Sequence, residues 1–278
     1  MRYREFIEHR LAGAISNIES LPSGYHLVGH VALLQIKREL MKYSKEIGEA
    51  TLQYDNRIRS VAIRTGPTVG VERHPNYMIV AGIQDTIVIH TEGGVKYKLD
   101  PLVLTFSGGN IQERIRMASI TRPGETVFDM FACVGQFSIP IAMNNARKVY
   151  ATEINPVAYD FLLENIRLNK VEQKVKPFLG DCKEFQPDEN VDRVVMGYLH
   201  DTNCFLGYAI SALKKSGGIV HMHIAQQEDN KEEIVKHVED VCSGHDFLPS
   251  ISITMIKNYA PSVKHYVFDI VLSRKGRV

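Results

Sequence analysis

Between residues 3 and 19 the apolar positions are Phe6, Ile7, Leu11, Ile15 and Ile18. That three-to-four spacing predicts an amphipathic helix, which the Pro22-Ser23-Gly24 stretch ends. Residues 28–36 then read as a strand and residues 42–54 as a charged helix. From residue 60 to residue 99 the apolar runs become short and β-rich, at 61–63, 78–80, 86–90 and 95–99. Glu92-Gly93-Gly94 supplies a hairpin turn between the last two. A bridge over residues 100–117 follows, in which Asn110 is placed to cap a helix carrying Glu113 and Arg114. Together these elements predict a smaller N-terminal α+β domain over residues 1–118.

Beyond residue 118 the pattern changes. Continuous apolar runs suited to strands buried on both faces (126–130, 148–153, 175–180, 192–196 and 217–224) alternate with helical periods after Phe137 and at 156–168, 202–213 and 231–242. Two last strands, 251–256 and 265–272, form a hairpin through residues 258–261. Serial βα units finished by a β-hairpin predict an α/β fold, a class I methyltransferase-like (Rossmann-type) domain over residues 119–278.

The candidate chemistry lies at the ends of its strands. Asp129 closes the first, and Phe131, Ala132, Cys133 and Gly135 follow as a turn of mostly small residues whose backbone can approach a ligand. Glu153 ends the second strand about 20 residues beyond that turn, where an acid meets a ribose hydroxyl pair. Asp181, with Cys182 beside it, stands at the exit of the third. The turn lacks a full G-x-G-x-x-G, so a dinucleotide is disfavoured and S-adenosylmethionine, which has no pyrophosphate to cradle, is the expected cofactor. Ser107 and Arg114, at the domain junction, are expected to reach its amino-acid end. His221 and His223, alternating about Met222, read as strand-end packing, and no metal site is expected.

Composition changes this picture little. The 278 residues carry a formal net charge of +1 with 44% hydrophobic and 23% charged residues, an ordinary globular balance. No apolar run approaches the ~18 residues of a membrane span, and the Met1-Arg2-Tyr3-Arg4-Glu5 start is no signal peptide. The four cysteines form no C-x-x-C pair, as expected of reduced thiols in a cytoplasm. Charge is uneven: residues 1–118 carry 15 Lys/Arg against 12 Asp/Glu, residues 119–278 carry 18 against 20. The N-terminal part is therefore the face for an anionic partner, with Arg57, Arg59, Arg64, Arg73 and His74 as a phosphate-contacting strip.

The order Phe106-Ser107, Asn110, Glu113-Arg114, Asp129 to Gly135, Glu153, Asn165-x-x-x-Asn169, Asp181 and Tyr259-Ala260-Pro261 carries a specific likeness. From about residue 21 onward the chain resembles the archaeal family that holds the tRNA guanine-37 N1-methyltransferase and its paralogue, the wybutosine-synthesising aminocarboxypropyltransferase. The methyltransferase branch carries Asn-Leu-Pro at the fourth strand end, where this chain has Gly197-Tyr198-Leu199. That difference resembles the aminocarboxypropyl branch, as does the lack of an additional N-terminal domain.

The resemblance implies a monomer that transfers the 3-amino-3-carboxypropyl group of S-adenosylmethionine to 4-demethylwyosine in the anticodon region of tRNA-Phe. Ser107, Arg114, Glu153, Asp181 and the backbone at Cys182 would bind the cofactor, with Asn110, Gly197 and Tyr198 positioning the reactants. Gly197 is expected to open space beside the sulfonium. Cys133 departs from the family's usual glycine. Two other readings stay open: guanine-37 N1-methylation, and a tRNA-binding module whose cofactor site has decayed.

Overall fold

Gly13 has φ +84°, a left-handed value that glycine tolerates, and it lies just beyond the end of the first helix. In the computed structural model, which describes residues 1–15 and 18–276, helix α1 spans Tyr3–Leu11. The predicted helix was longer, and residues 16–17 of it lie outside the described residues. Gly29, at φ +57°, likewise splits the single strand predicted over residues 28–36 into a hairpin, β1 (His26–Val28) and β2 (Val31–Leu34). Then come α2 (Ser44–Tyr54), β3 (Ser60–Val69) and β4 (His74–Gly82). The sheet runs in the order β1-β2-β3-β4, with only the β2–β3 pair parallel. Ile7, Leu11, Ile15, Leu34, Ile47, Val61 and Ile63 are among the buried residues of its core. The predicted hairpin is present as β5 (Val88–Glu92) and β6 (Val95–Leu99), turning at Gly93-Gly94.

The chain divides into two compact units, Met1–Gly108 and Gly109–Val278. The division falls ten residues before the one predicted at residue 118, because helix α3 (Ile111–Ile120) packs against α4 (Ser138–Asn144) of the second unit. In that unit follow β7 (Thr126–Asp129), β8 (Lys148–Glu153), α5 (Pro156–Leu168), β9 (Val175–Leu179) and β10 (Arg193–Met196). After them come α6 (Leu206–Ala212), β11 (Gly217–Gln227), α7 (Lys231–Gly244), β12 (Phe247–Ala260) and β13 (Val263–Arg274). All four residues of β7 and of β10 are buried, as expected of central strands covered on both faces.

The seven strands lie in the order β12-β13-β11-β10-β7-β8-β9. Strands β11, β10, β7, β8 and β9 are parallel, and the β12–β13 hairpin adds antiparallel strands at one edge. The chain runs outward from β7 through β8 to β9 and then returns to β10 on the other side of β7. That reversal makes the carboxyl ends of β7 and β10 the switch point where α/β sheets bind ligands. Among the described residues no helix is long and apolar enough to cross a membrane.

Candidate active site

At the switch point, Asp129 is fully buried and its carboxylate is turned inward. Its oxygens accept the Phe131 N–H at 3.3 Å, the Ser138 N–H at 3.1 Å and the Ser138 hydroxyl at 2.5 Å. Burial pushes its pKa up to about 6 against these hydrogen bonds. Asp129 therefore ties the turn to the start of α4 instead of presenting an oxygen to a ligand. Further bonds fix the same turn. The Ala132 N–H donates to the Thr152 carbonyl at 2.9 Å, the Thr152 hydroxyl to the Met130 carbonyl at 2.8 Å, and the Asn165 amide, fully buried on α5, to the Val134 carbonyl at 3.1 Å. Gly135 sits at φ +91°, and a Cβ there would come within 2.5 Å of the Ile139 side chain.

Glu153 reaches this turn from β8. One carboxylate oxygen accepts the Cys133 N–H at 2.6 Å and the other accepts the Asn155 N–H at 2.8 Å. Burial raises its pKa. Cys133 has φ +50°, so the position usually held by glycine does use left-handed backbone, which a cysteine occupies at some strain. The residue keeps some exposure, but burial and then the Glu153 charge push its thiol up to about 12. It stays a neutral thiol at physiological pH and is no nucleophile.

Asp181 follows β9 with its side chain about a third exposed, one oxygen accepting the Lys183 N–H at 2.9 Å. Cys182 beside it is buried, and burial with the Asp181 charge pushes its thiol up to about 12. The structure thus brings Phe131, Ala132, Gly135 and Glu153 together around one turn, with Asp181 and Cys182 at the next strand exit. Ser107 belongs to the first unit, just short of the division.

Two expectations change. Gly197 does not open an empty space: a Cβ there would meet the Phe137 ring at 3.0 Å, so its small size admits that ring. Asn110 makes no side-chain cap to α3; its Oδ1 is buried without a hydrogen-bond partner among the described residues. Arg114, also buried, donates to the Gln136 side-chain oxygen at 3.2 Å, and its neighbour Glu113 pairs with Arg116 at 2.7 Å. Tyr198 packs on Phe131 with ring centroids 5.4 Å apart, and His200, two residues on, meets the Tyr259 hydroxyl at 3.0 Å. Gln136, Ser138, Asn165 and His200 were not assigned site roles from sequence; only the Asn165 spacing in the quoted motif pointed to one of them.

His221 and His223 are buried mid-strand members of a polar network rather than strand-end packing. His221 bonds Asp269 and Arg193, Asp269 accepts from Arg116 at 2.8 Å, and His223 meets His265 at 3.1 Å. Burial lowers the pKa of all three histidines, that of His265 to about 4.

In the first unit the basic residues do not gather into one strip. Arg57 is held by Asp55 at 2.6 Å, Arg64 donates to the Gly66 carbonyl at 2.9 Å, and Arg73 sits with φ +60° at the β3–β4 turn. Arg59 precedes the ten-residue β3, which separates it from Arg73 by on the order of 30 Å of strand rise. Arg64 shares a groove of ≈ 580 Å³ with Lys37, His26, Tyr25 and Tyr77.

The fit to an adenosyl amino acid rests on two observations: a small-residue turn closed by a carboxylate, and a buried acceptor, Asn110 Oδ1, that has no hydrogen-bond partner among the described residues and immediately precedes the helix that carries Arg114. Comparison with known proteins bears on the same question. A family model described as the TRM5/TYW2 methyltransferase domain matches residues 88–248, and one described as the TYW2 N-terminal domain matches residues 7–86. The tRNA(Phe) (4-demethylwyosine(37)-C(7)) aminocarboxypropyltransferase of Pyrococcus horikoshii is 37% identical over 97% of this chain and 95% of its own length. The tRNA (guanine(37)-N(1))-methyltransferase Trm5b of Pyrococcus abyssi is 33% identical, over 91% of this chain and 76% of that protein. The solved structure of Pyrococcus horikoshii TYW2 in complex with MeSAdo superposes with a TM-score of 0.83 at 33% identity, covering 98% of this chain and 100% of that one.

Proposed function

The chain belongs to the TRM5/TYW2 methyltransferase-domain family, and we propose that it transfers the 3-amino-3-carboxypropyl group of S-adenosylmethionine to 4-demethylwyosine at position 37 of tRNA(Phe). The observation that carries this reading is the nearly end-to-end likeness to the Pyrococcus horikoshii aminocarboxypropyltransferase, spanning both units. At the fourth strand end, Gly197-Tyr198-Leu199 in place of Asn-Leu-Pro supports the same branch.

S-adenosylmethionine held there would supply a sulfonium whose γ-carbon is open to a ring carbon of the base, with methylthioadenosine, keeping the C–S electron pair, and the ring proton as the balancing products. This chain's residues contribute binding and orientation. In this reading the backbone at Phe131, Ala132, Gly135 and Cys182 borders the adenosine, while Glu153 and Asp181 bond its hydroxyl and amino groups. Ser107 and Arg114 serve the amino-acid end. Asp129 acts at one remove, by holding the turn's shape, and so does Asn165. Tyr198, stacked on Phe131, offers an aromatic face to a base turned out of the anticodon loop. In the first unit Arg59, Arg64 and Arg73, with Arg57 in a lesser part, contact tRNA phosphates.

A double-label experiment tests the assignment. The protein is incubated with tRNA(Phe) bearing either guanine or 4-demethylwyosine at position 37, and with S-adenosylmethionine labelled in the methyl or the carboxyl group. Carboxyl label in the demethylwyosine tRNA, with methylthioadenosine released, is expected. Methyl label in the guanine tRNA and carboxyl label in neither would assign the other branch.

A further inference from the structure

The groove beside Arg64 in the first unit combines cations with aromatic rings in a way that phosphate contacts alone do not use. Val61 and Ile63 of β3 belong to the core, so by alternation Arg64 lies on the opposite face of that strand. Tyr77 of β4 stands directly across from Arg64. Both line the groove of ≈ 580 Å³, as do Lys37, Tyr25 and His26. Tyr25 is a fixed wall: its ring packs edge-on against Tyr3 at 5.0 Å and its hydroxyl donates to Asp55 at 2.9 Å. His26 closes the groove toward Gly108, where a Cβ would collide with the imidazole ring. The missing side chain at Gly108 therefore lets the groove reach the loop that carries Ser107.

The charges of the groove are one-sided. No Asp or Glu is among its lining residues. Arg64 donates from Nε to the Gly66 carbonyl at 2.9 Å, a neutral acceptor that leaves the other N–H groups of the guanidinium for a ligand. Lys37 donates to the Ser20 hydroxyl at 3.2 Å, and only through that hydroxyl is it linked to Glu39. Neither cation forms an ion pair among the described residues. Such a pair suits an oxyanion with several acceptor oxygens, above all a phosphate. Tyr77 adds a second kind of contact. Its ring is half-buried beside the guanidinium, whose charge lowers the phenol's pKa against the raising effect of burial. A paired strand can offer phosphates to the cations, but only an unstacked base can lie on a recessed ring. The volume is that of a small-ligand pocket and far below that of a double helix.

We propose that this groove holds one unpaired nucleotide of the substrate tRNA, its phosphate between Arg64 and Lys37 and its base against the Tyr77 ring. This rests on the reading of the chain as a tRNA-modifying enzyme and adds to it a seat for a base in the first unit. It brings in Lys37 and Tyr77, neither of which the phosphate contacts include. A nucleotide held here lies beside the Ser107 loop, so the groove selects for an RNA strand that is already unstacked where it passes that loop.

The test separates stacking from charge. Fluorescence anisotropy across a salt series measures two labelled RNAs, the anticodon stem–loop of tRNA(Phe) and a blunt duplex of its stem, with thermal unfolding as a check on folding. Tyr77→Leu should lower stem–loop affinity by about tenfold at an unchanged salt slope, as for one lost base stack, and leave duplex binding within about twofold. Arg64→Gln and Lys37→Gln should each reduce the stem–loop salt slope by about 0.7. The sequence contains no tryptophan, so Tyr77→Trp places a single reporter in the groove and covers the case in which leucine disturbs the sheet. Its fluorescence should be quenched by the stem–loop and not by the duplex. An emission that the stem–loop leaves unchanged, equal losses on stem–loop and duplex, or salt slopes unaltered in both charge variants would overturn the proposal. If every variant binds the stem–loop as the unaltered protein does, the groove assignment falls and the tRNA reading stands. Failure of the unaltered protein to bind the stem–loop would overturn both.

Discussion

The Glu153 carboxylate accepts the Cys133 N–H at 2.6 Å, joining the end of β8 to the turn that leaves its neighbour β7. The bond holds a non-glycine residue at φ +50° and keeps the turn's backbone closed over the acid. One side chain therefore stabilises the loop and lines the crevice that the loop forms. A substitution there reads out on both stability and binding.

Removing Glu153 should show this double role. Glu153→Ala is expected to weaken methylthioadenosine binding by about 1–3 kcal/mol, the range for a lost charge-assisted hydrogen bond. It should also lower the melting temperature, because the Cys133 and Asn155 N–H groups lose their acceptor. Calorimetry and thermal unfolding measure the two separately. Unchanged binding with lowered stability would leave Glu153 a structural role only.

Cys133 makes a second prediction, in both directions. Cys133→Gly removes left-handed strain of about 1–2 kcal/mol but adds unfolded-state entropy costing about 0.5–1 kcal/mol. Stability should therefore rise by about 0–1.5 kcal/mol, with methylthioadenosine affinity kept or improved. Cys133→Val puts a β-branched residue at the same φ and should destabilise the fold and weaken binding. A valine variant as stable as the glycine variant would mean that the backbone angle is not a constraint.

These residues also show how far the chain was legible before folding. The βα alternation was readable because strands such as β7 and β10 are buried throughout and therefore mostly apolar, with Asp129 and Arg193 as buried exceptions at their ends. Glu153's place at a strand end was readable from the acid that closes an apolar run, but its bond to the Cys133 N–H across to the neighbouring turn was not. Asp129 was visible, but the direction of its carboxylate was not, since that depends on Ser138 being folded back over nine residues by the turn. The placement of Lys257 against Gly109 was hidden for a different reason: it depends on bulges and on cross-strand register, which no local pattern encodes. The first helix was drawn too long because apolar spacing continues beyond Gly13, where the backbone turns left-handed.

In the first unit the arginines should differ in their effect on tRNA. Arg57 already spends its guanidinium on Asp55, whereas Arg64 lines a groove with Lys37 and two tyrosines. Arg64→Glu is expected to weaken tRNA binding and reduce the salt dependence by about one phosphate contact, with cofactor affinity unchanged. Arg57→Ala should have the smaller effect. Filter binding across a salt series tests both, and a larger effect from Arg57 would move the footprint toward the end of α2.

The buried histidines set the acid limit of the fold. His221, His223 and His265 have folded pKa values below the usual 6.5, chiefly through burial, with His265 at about 4. A depressed value means that the unfolded chain takes up the proton first. The stability these groups contribute is then fully present above pH 6.5 and is lost as pH falls toward 4, at up to about 1.4 kcal/mol per pH unit for each group. Asp129 works the other way. Its pKa is raised from 3.8 to about 6, so its contribution favours folding at low pH and is lost as pH rises through 6. Glu153, whose pKa burial also raises, works in the same direction as Asp129. Three groups outweigh two, and the melting temperature should fall between pH 6.5 and 4. His265→Asn, which cannot take up the proton, should flatten that fall, and Asp129→Asn should steepen it. Thermal unfolding at half-unit pH steps provides the comparison. An unaltered slope in the His265→Asn variant would mean that the acid sensitivity arises elsewhere.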